Sequence, residues 1–302
     1  LLSINTPVLD AASSDPTASG SAYEYALRSY FGRINYNYSR KYLLEANIRY
    51  DGSSRFSSNN RWGIFPSFSG GWIISEEPFW NSLRNLISAF KVRASWGKLG
   101  NNGIGNYEWQ SLYKSFNHSF NGTIVQGLRY DSYANSEITW EKTRVLNIGA
   151  NLSIFKNLAV DIDYYNKLTS DILANNPIPY VNGGITAPTV NSAKVSNKGF
   201  DVDIRYNGKI KNLSYLIGVN ASYNKNRIEK YKGADYIEPQ NDYTAWAEGS
   251  PINIFYLREV DHIIQDKNEV NALLAEGWTF HPSTPGEGDF LYKDENKDTG
   301  VY

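Results

Sequence analysis

The stretch that most restricts the fold is a pair of alternating runs, NIGANLSIFKNLAVDIDYYN, at residues 147–166. In both runs every second residue is apolar, which is the period-two pattern of a β-strand. The apolar positions are Ile148, Ala150, Leu152 and Ile154 in the first run and Leu158, Val160, Ile162 and Tyr164 in the second. The three residues 155–157 between the runs are few enough for a hairpin loop. The stretch therefore predicts an antiparallel hairpin with one apolar face and one polar face.

The same alternation recurs along the chain and predicts an all-β, antiparallel fold. Further strands are predicted at 29–39, 43–51, 61–74, 90–99, 200–207 and 213–223, with short strands near 107–113 and 123–130. Residues 1–22 are predicted to be loop, because Ser, Ala, Asp and Pro dominate them. The segment 75–88 is predicted to form a helical turn capped by Ser75.

The predicted connections differ in length at the two ends of the strands. Short turns near residues 40, 156 and 210 alternate with long polar loops at 51–61, 99–138 and 169–198. Short periplasmic turns opposite long extracellular loops are typical of an outer-membrane β-barrel. Strands of about ten residues tilted by about 45° span roughly 23 Å, close to the apolar band of such barrels.

Side-chain placement supports a transmembrane barrel segment with a hydrated interior. Charged residues lie in the middle of predicted strands on the polar face: Arg49, Arg93, Asp161, Asp163, Asp201, Asp203 and Arg205. Tyr and Trp residues lie near predicted strand ends, as in the aromatic girdles of barrels: Tyr36, Tyr38, Tyr42, Tyr50, Trp62, Trp72, Trp140, Tyr164, Tyr206, Tyr215 and Tyr223. A secreted β-sandwich that buries its apolar side, as in a carbohydrate-binding module, has the same alternation and remains the alternative.

Composition excludes several classes of function. The formal net charge of -1 gives no reason to expect nucleic acid or an anionic membrane surface as a partner, and the lack of cysteine excludes a thiolate metal site. No apolar run is long enough for a transmembrane helix. Because the sequence contains no methionine and no signal-peptide pattern, we expect it to be a fragment or a matured piece of a longer protein.

Several segments, in order and spacing, resemble the SusC/RagA-type TonB-dependent transporters, which are nutrient importers of Bacteroidetes. The segments are RYDGSSRFSSNNRWGIFPSFSGGWIISEEPFW (49–80), FKVRASWGKLGNNGIGNYEW (90–109), WEKTRVLNIGANLSIFKNLAVDIDYYNKLTSDIL (140–173), NKGFDVDI (197–204), EGSPINIFYLREVD (248–261) and GDFLYKDENKD (288–298). The resemblance implies that residues 1–302 are part of one TonB-dependent-receptor β-barrel domain, from the later part of a 22-stranded barrel. The signal peptide, the plug and the final strands are then expected to lie outside the chain.

The resemblance also implies a location and partners. The whole protein is expected in the outer membrane of a Gram-negative, Bacteroidetes-type bacterium, in contact with outer-membrane lipid. It would import a large nutrient, a glycan or a peptide, under a SusD-like lipoprotein lid, and TonB would supply the energy through the plug. No enzymatic activity is expected.

One acidic segment, KDENKDTG, raises the possibility of a metal site. Asp294, Asn296 and Asp298 alternate as oxygen ligands do in a calcium-binding loop. Members of the family usually have Gly after the Asn, where this chain has Lys297, and Thr299 occupies the position of the turn glycine of such loops. Calcium binding and a solvated acidic turn both remain open.

Other candidate residues have structural readings beside functional ones. Asp51, Ser53, Ser54 and Arg55 favour a loop anchor over a ligand contact. The aromatic residues of the long loops either stack on sugar rings or pack the loops together: Tyr107, Trp109, Tyr113, Phe116 and Tyr180. His118, His262 and His281 lie in no metal or nucleophile motif. Asp261–His262 is the one pair that keeps a barrel enzyme as an alternative, although adjacency is weak support for a triad.

Overall fold

The computed structural model describes residues 22–175, 181, 185, 187–231, 238–241, 244–255, 257–280 and 284–293. It divides into two compact units, one of residues 1–236 with 247–252 and the other of residues 237–246 with 253–302. No helix among the described residues is both long enough and apolar enough to cross a membrane.

The first unit is built on one eight-stranded antiparallel sheet. Its strands in the order in which they pair are β1 (Leu27–Tyr38), β2 (Tyr42–Ser53), β3 (Trp62–Ile73), β4 (Ile87–Asn101), β7 (Glu141–Ile154), β8 (Leu158–Asn175), β9 (Thr189–Ile210) and β10 (Leu213–Tyr231). A separate hairpin of β5 (Leu112–Phe120) and β6 (Thr123–Ser132) lies between β4 and β7 in the sequence. The all-β prediction is thus confirmed.

The register of the sheet confirms the two predicted faces. Ile34 pairs with Ala46 and Ala46 with Phe68, while Ile148 pairs with Tyr164 and Tyr164 with Phe200. Apolar positions therefore adjoin apolar positions across the whole sheet, and we call this side the apolar face. The polar face is the opposite side, where Asp163 pairs with Gly149 and with Asp201. A shift of one residue in any strand would exchange the faces, so burial or solvation of either face fixes the register.

The apolar face is exposed, which argues against a β-sandwich. Ile148 retains 46% of its accessible surface and Ile204 retains 39%. Other large side chains of this face are exposed as well: Ile34, Leu44, Ile48, Ile64, Phe68, Ile162 and Val219. In a sandwich these residues would interdigitate with a second sheet. Within the described part of this unit no such layer covers them.

Aromatic rings gather near both ends of the apolar face, as predicted for girdles. Near the short turns Tyr42 stacks between Tyr38 and Trp72, with ring centroids 6.4 and 6.3 Å apart. Near the long loops the ring of Trp62 stacks 4.6 Å from that of Tyr50. Trp140 was also predicted in a girdle, and that prediction is wrong, because the residue is buried beneath the loops.

The connections follow the predicted asymmetry, with one exception. Residues 39–41, 155–157 and 211–212 form tight turns at one edge of the sheet, which we call the short-turn edge. The connection 74–86 also lies at this edge but is long, and its helical part consists of two 3-10 turns, Ile74–Glu76 and Pro78–Trp80. The predicted cap is wrong: Ser75 lies inside the first turn, whose N-cap is Ile73 without a capping side chain.

Two predicted boundaries are also corrected. The strand expected at 107–113 begins at Leu112, because residues 104–110 form turns that pack beneath the loops. The long loop expected at 169–198 is shorter, because β8 continues to Asn175 and β9 begins at Thr189. Pairing along a neighbouring strand extends a ladder into sequence whose composition suggests a loop.

A small core lies under the connections at the other edge, the long-loop edge. Its members are Phe56, Phe65, Ile104, Ile138 and Trp140, with Trp109 and Leu173 packed against them. The rings of Phe56 and Phe65 each lie 5.3 Å from that of Trp140, whose indole N–H donates to the carbonyl oxygen of Arg61 at 2.9 Å. The connections are thereby held to the end of the sheet.

The second unit contains short elements. Strands β11 (Glu238–Asn241), β12 (Thr244–Trp246) and β13 (Ile254–Phe255) form one small sheet, and β14 (Val260–Ile263) pairs with β15 (Phe290–Tyr292). Helix α1 (Lys267–Ala275) is capped by Asp266, whose carboxylate accepts from the backbone N–H groups of Asn268 and Glu269. Ile264, Val270 and Leu291 form the buried core between this helix and the β14–β15 pair.

Candidate functional site

The polar face carries a network of paired charges in the middle of the sheet. Arg93 Nη2 lies 2.6 Å from Asp163 Oδ2, joining β4 to β8. The guanidinium of Arg205 lies 2.5 Å from Asp161 and 2.6 Å from Asp203. The crowding of these mid-strand charges, predicted from the alternation, is confirmed. Arg49 lies apart from this group and pairs with Asp51 at 3.2 Å.

The network explains how like charges tolerate adjacent positions. Asp161 pairs in register with Asp203, and Asp163 pairs with Asp201. Directly opposed like charges destabilise a sheet, and the two arginines offset this repulsion. Because the side chains are partly exposed, each ion pair contributes little to stability by itself. Such a surface is suited to water or to a polar partner.

Beside the network, a groove of about 500 Å³ opens on the sheet. Its floor includes Gly71, which lies on the polar face and pairs in register with Arg93. Its lining includes Asn35, Glu45, Ser69, Lys91, Arg93 and Asn147. Charges of both signs and amides lie there beside Tyr36, Leu43 and Leu44, so the groove is mixed in polarity and differs from the mainly apolar pocket typical of a small-molecule site.

The segment Asp51–Arg55 is a loop anchor, as favoured from the sequence. Ser53 is fully buried, and its hydroxyl oxygen accepts from Asn102 Nδ2 at 2.9 Å. Arg55 donates to the carbonyl oxygen of Asn102 at 3.1 Å and lies over the ring of Tyr25 at 4.5 Å. The groups that a ligand would contact are thus already engaged in holding the connections together.

The loop aromatic residues divide between the two readings. Tyr107 bonds to the backbone of Glu24, and Trp109 packs against the loop core, so both hold loops. Tyr113 and Phe116 lie on the β5–β6 hairpin, where Tyr113 stacks on Tyr130 with ring centroids 4.6 Å apart. Both remain exposed there. The fifth residue, Tyr180, lies outside the described residues.

The Asp261–His262 pair belongs to a bridge between β14 and α1. His262 Nδ1 lies 2.7 Å from Asp261 Oδ2, and Nε2 contacts the carboxylate of Glu269. Hydrogen bonds to Glu269 and Asp261 raise the pKa of His262. Because both ring nitrogens face carboxylates, neither is left to accept a proton from a nucleophile. Glu269 had no signal in the sequence, since only the fold brings it to the histidine.

The remaining site predictions fall on residues outside the described part of the chain. Asp294, Asn296 and Asp298 lie outside the described residues, and so does His281. Among the described residues no group of His, Cys, Asp and Glu has the arrangement of a metal site. Calcium binding by the acidic turn stays a prediction.

A family profile and curated relatives agree on what this chain is similar to. The profile described as TonB dependent receptor-like, beta-barrel matches residues 3–292. TonB-dependent receptor P39 of Formosa agariphila is 40% identical over 91% of this chain and 26% of the relative. TonB-dependent receptor SusC of Bacteroides thetaiotaomicron is 34% identical over 69% of this chain and 21% of the relative. The chain therefore spans about a quarter of the length of these relatives.

Solved structures show the same fold. The RagAB peptide transporter matches with a TM-score of 0.74 and 30% identity, over 83% of this chain and 27% of that chain. The closed-closed state of the RagAB peptide importer matches with a TM-score of 0.76 and 26% identity, over 94% of this chain and 30% of that chain. With the two-faced sheet described above, these matches show that the chain belongs to the TonB dependent receptor-like β-barrel family.

Proposed function

We propose that the full-length protein containing this chain is an active importer of a large nutrient in the outer membrane of a Gram-negative bacterium. One observation carries the proposal: the apolar face is continuous across eight strands and exposed, while the polar face carries the charges. An exposed apolar sheet face of this extent is stable in hydrocarbon and unstable in water. The polar face then lines a hydrated interior, and the tight turns face the periplasm.

The proposed partners follow from the relatives. TonB-dependent receptors and the RagAB importer are the proteins that this chain resembles. We therefore propose a SusD-like lipoprotein on the long-loop side and energy supplied through TonB. The likeness of this chain to the RagAB peptide transporter makes peptides the first substrates to test, with glycans second.

A deletion strain tests the proposal. Cells with the gene deleted should lose uptake of a labelled oligopeptide or oligosaccharide pool, and the intact gene should restore it. A protonophore should abolish uptake in the wild type, because import depends on the proton-motive force. Uptake that is unchanged by the deletion, or that continues with the protonophore, would contradict active import.

Purification of the tagged full-length protein tests the proposed lid. A surface lipoprotein should copurify in detergent, and mass spectrometry should identify both it and any ligand that it holds. Recovery of the receptor alone from cells that show active uptake would count against a stable lid while leaving import intact.

A further inference from the structure

The connection 74–86 differs from its neighbours at the short-turn edge. The other three connections there are tight turns of two or three residues. This one is longer and carries the exposed apolar side chains Phe79, Leu83 and Leu86, of which Phe79 retains 63% of its surface. Exposed residues of this kind are costly in water, so their position in the fold needs an explanation.

Three contacts place the connection beside the apolar face. The carboxylate of Glu77 accepts from the Tyr42 hydroxyl at 2.8 Å and from Trp72 Nε1 at 3.2 Å, both side chains of the apolar face. Farther along, the ring of Trp80 lies 5.4 Å from that of Phe90, which belongs to the same face. The connection therefore continues the girdle of Tyr38, Tyr42 and Trp72.

The segment is held in this position by its own hydrogen bonds. Lys41 Nζ lies 2.9 Å from Glu77 Oε2, which ties the connection to the first tight turn. Arg84 Nη2 donates to the carbonyl oxygen of Ser75 at 2.7 Å, and Trp80 Nε1 donates to that of Ile87 at 3.1 Å. The exposed apolar side chains of Phe79, Leu83 and Leu86 thus lie on a segment whose position is fixed by hydrogen bonds.

The short-turn edge is also rich in basic residues. Each tight turn contains at least one cationic side chain, and the connection adds another: Arg40, Lys41, Lys156, Lys211 and Arg84. Glu76 and Glu77 of the connection offset two of these charges, and Lys41 is paired with Glu77, so a net positive charge remains. Anionic lipid headgroups attract basic residues next to a membrane surface. Exposed apolar side chains beside Trp and Tyr, with cations near them, are the composition of a segment that lies in a membrane interface.

We propose that residues 74–86 form an in-plane lipid anchor that binds anionic phospholipid in the leaflet beside the short turns. Phe79, Leu83 and Leu86 enter the acyl-chain boundary, and Arg84, with Arg40 and Lys156 of the tight turns, contacts the phosphate groups. The inference rests on the proposed function, because it requires the apolar face to contact lipid. The anchor would fix the depth of the barrel at this edge.

Spin labels test the anchor in the full-length protein, reconstituted in nanodiscs of phosphatidylcholine and phosphatidylglycerol. These 302 residues contain no cysteine, so single labels can be introduced with Phe79→Cys and Leu83→Cys once any cysteine elsewhere in the protein is replaced. Ile148→Cys serves as the lipid reference and Asn59→Cys, an exposed residue at the long-loop edge, as the aqueous reference. Both test labels should be more accessible to oxygen than to a soluble nickel chelate, as at position 148.

The references separate the two proposals. Labels at 79 and 83 that match position 59, with a lipid-like signal at 148, would overturn the anchor alone. An aqueous signal at 148 would overturn the membrane orientation and the proposed function with it. Labels at 79 and 83 that are shielded from both reagents would show a protein covering the segment, which also overturns the anchor.

Native mass spectrometry tests the choice of lipid. The wild type should retain phosphatidylglycerol over phosphatidylcholine, and the Arg40→Gln, Arg84→Gln, Lys156→Gln variant should lose most of that preference. Arg129→Gln, in the β5–β6 hairpin, is the matched control and should keep it. Equal retention of both lipids by the wild type would overturn the assignment of an anionic headgroup.

Discussion

At the scale of single residues, two buried side chains tie the connections to the two ends of the sheet. Phe56 is fully buried in the core at the long-loop edge, and Glu77 is buried among three donors at the short-turn edge. Neither position follows the alternation that predicts the strands. Some of their partners lie far away in the sequence, Trp140 for Phe56 and Lys41 and Tyr42 for Glu77, so each position depends on the pairing of the sheet.

Replacing Phe56 with Ala should loosen the connections at the long-loop edge. Loss of a fully buried phenylalanine leaves a cavity and costs about 3–5 kcal/mol. Hydrogen exchange of the amides in 102–106 and 138–140 should become faster in the detergent-solubilised full-length protein. Phe120→Ala, at a residue that is 63% exposed, is the control and should leave these amides unchanged. Equal effects of the two variants would contradict a core centred on Phe56.

Replacing Glu77 with Gln should lower the thermal stability of the protein. The hydrogen bonds from Lys41 and then Tyr42 lower the pKa of Glu77. A carboxylate whose pKa is lower in the folded protein than in the unfolded chain stabilises the fold at pH values above the unfolded-state pKa. This stabilisation is lost as the pH falls through the folded-state pKa. The difference in melting temperature between wild type and variant should therefore be largest at neutral pH and shrink in acid. Glu76→Gln, at the exposed neighbour, should show no such difference.

At the scale of elements, the alternation of each strand becomes a difference between two environments. Phe68 and Ser69 are adjacent in β3, yet Phe68 faces the apolar side and Ser69 pairs in register with Glu45 on the polar side. The same substitution at these two positions therefore measures which face meets hydrocarbon.

Position 69 should tolerate an arginine, and position 68 should not. Phe68→Arg places a charge on the apolar face near the middle of a strand, where arginine in hydrocarbon costs about 2–4 kcal/mol. Ser69→Arg places the same charge beside Glu45 in a hydrated setting and should be nearly neutral. Folding into vesicles, followed by denaturant titration, measures both. Comparable losses would show that the apolar face does not contact lipid.

Helix α1 in the second unit should respond to pH through His262. Glu269 and Asp261 hold the pKa of His262 above its ordinary value, and Glu269 also accepts from the backbone N–H of Gln265. A histidine whose pKa is higher in the folded protein than in the unfolded chain stabilises the fold fully at pH values below the unfolded-state pKa. This stabilisation is lost as the pH rises through the folded-state pKa. Hydrogen exchange in 267–275 should therefore become faster, beyond the intrinsic effect of pH, from mildly acidic to alkaline solution.

His262→Gln is the variant that isolates this effect. Glutamine keeps polar atoms near the two carboxylates but cannot become charged, so the additional protection at low pH should disappear. Asn268→Gln, in the first turn of the same helix, is the control and should retain the pH dependence of the wild type. A variant at 262 that keeps that dependence would assign the effect to another group.

At the scale of the whole molecule, the two outermost strands of the described sheet, β1 and β10, each have one side that is open. β1 pairs with β2 and β10 pairs with β9, and within the described residues neither has a partner on its other side. An open edge is not tolerated in hydrocarbon, because its backbone groups would lack hydrogen bonds. Membership of a β-barrel family implies that further strands close it, although the number 22 stays a prediction.

The chain of residues 1–302 expressed alone should therefore aggregate without detergent. The full-length protein in detergent should instead migrate differently on gels when unboiled, because a closed barrel resists unfolding. Monomeric behaviour of the isolated chain in plain buffer, measured by light scattering, would contradict an apolar face made for lipid.

Local pattern alone determined much of this protein. The faces of β1–β4 and β7–β10, the tight turns near 40, 156 and 210, and the crowding of Arg93 with Asp163 all follow from a period of two and from short connections. These features are visible in sequence because side-chain alternation is a local property of an extended backbone.

Contacts between separate elements were decided by the tertiary structure. Trp140 lies in a buried core and not in the predicted girdle, and β8 and β9 extend by pairing into a segment that was expected to be a loop. Glu269 contacts His262 because helix α1 packs beside strand β14. No local pattern contains these outcomes, because each depends on how separate elements pack against one another. The sequence alone determined the two faces of the sheet. Packing between residues of separate elements decided how the connections are held at the short-turn edge and at the long-loop edge.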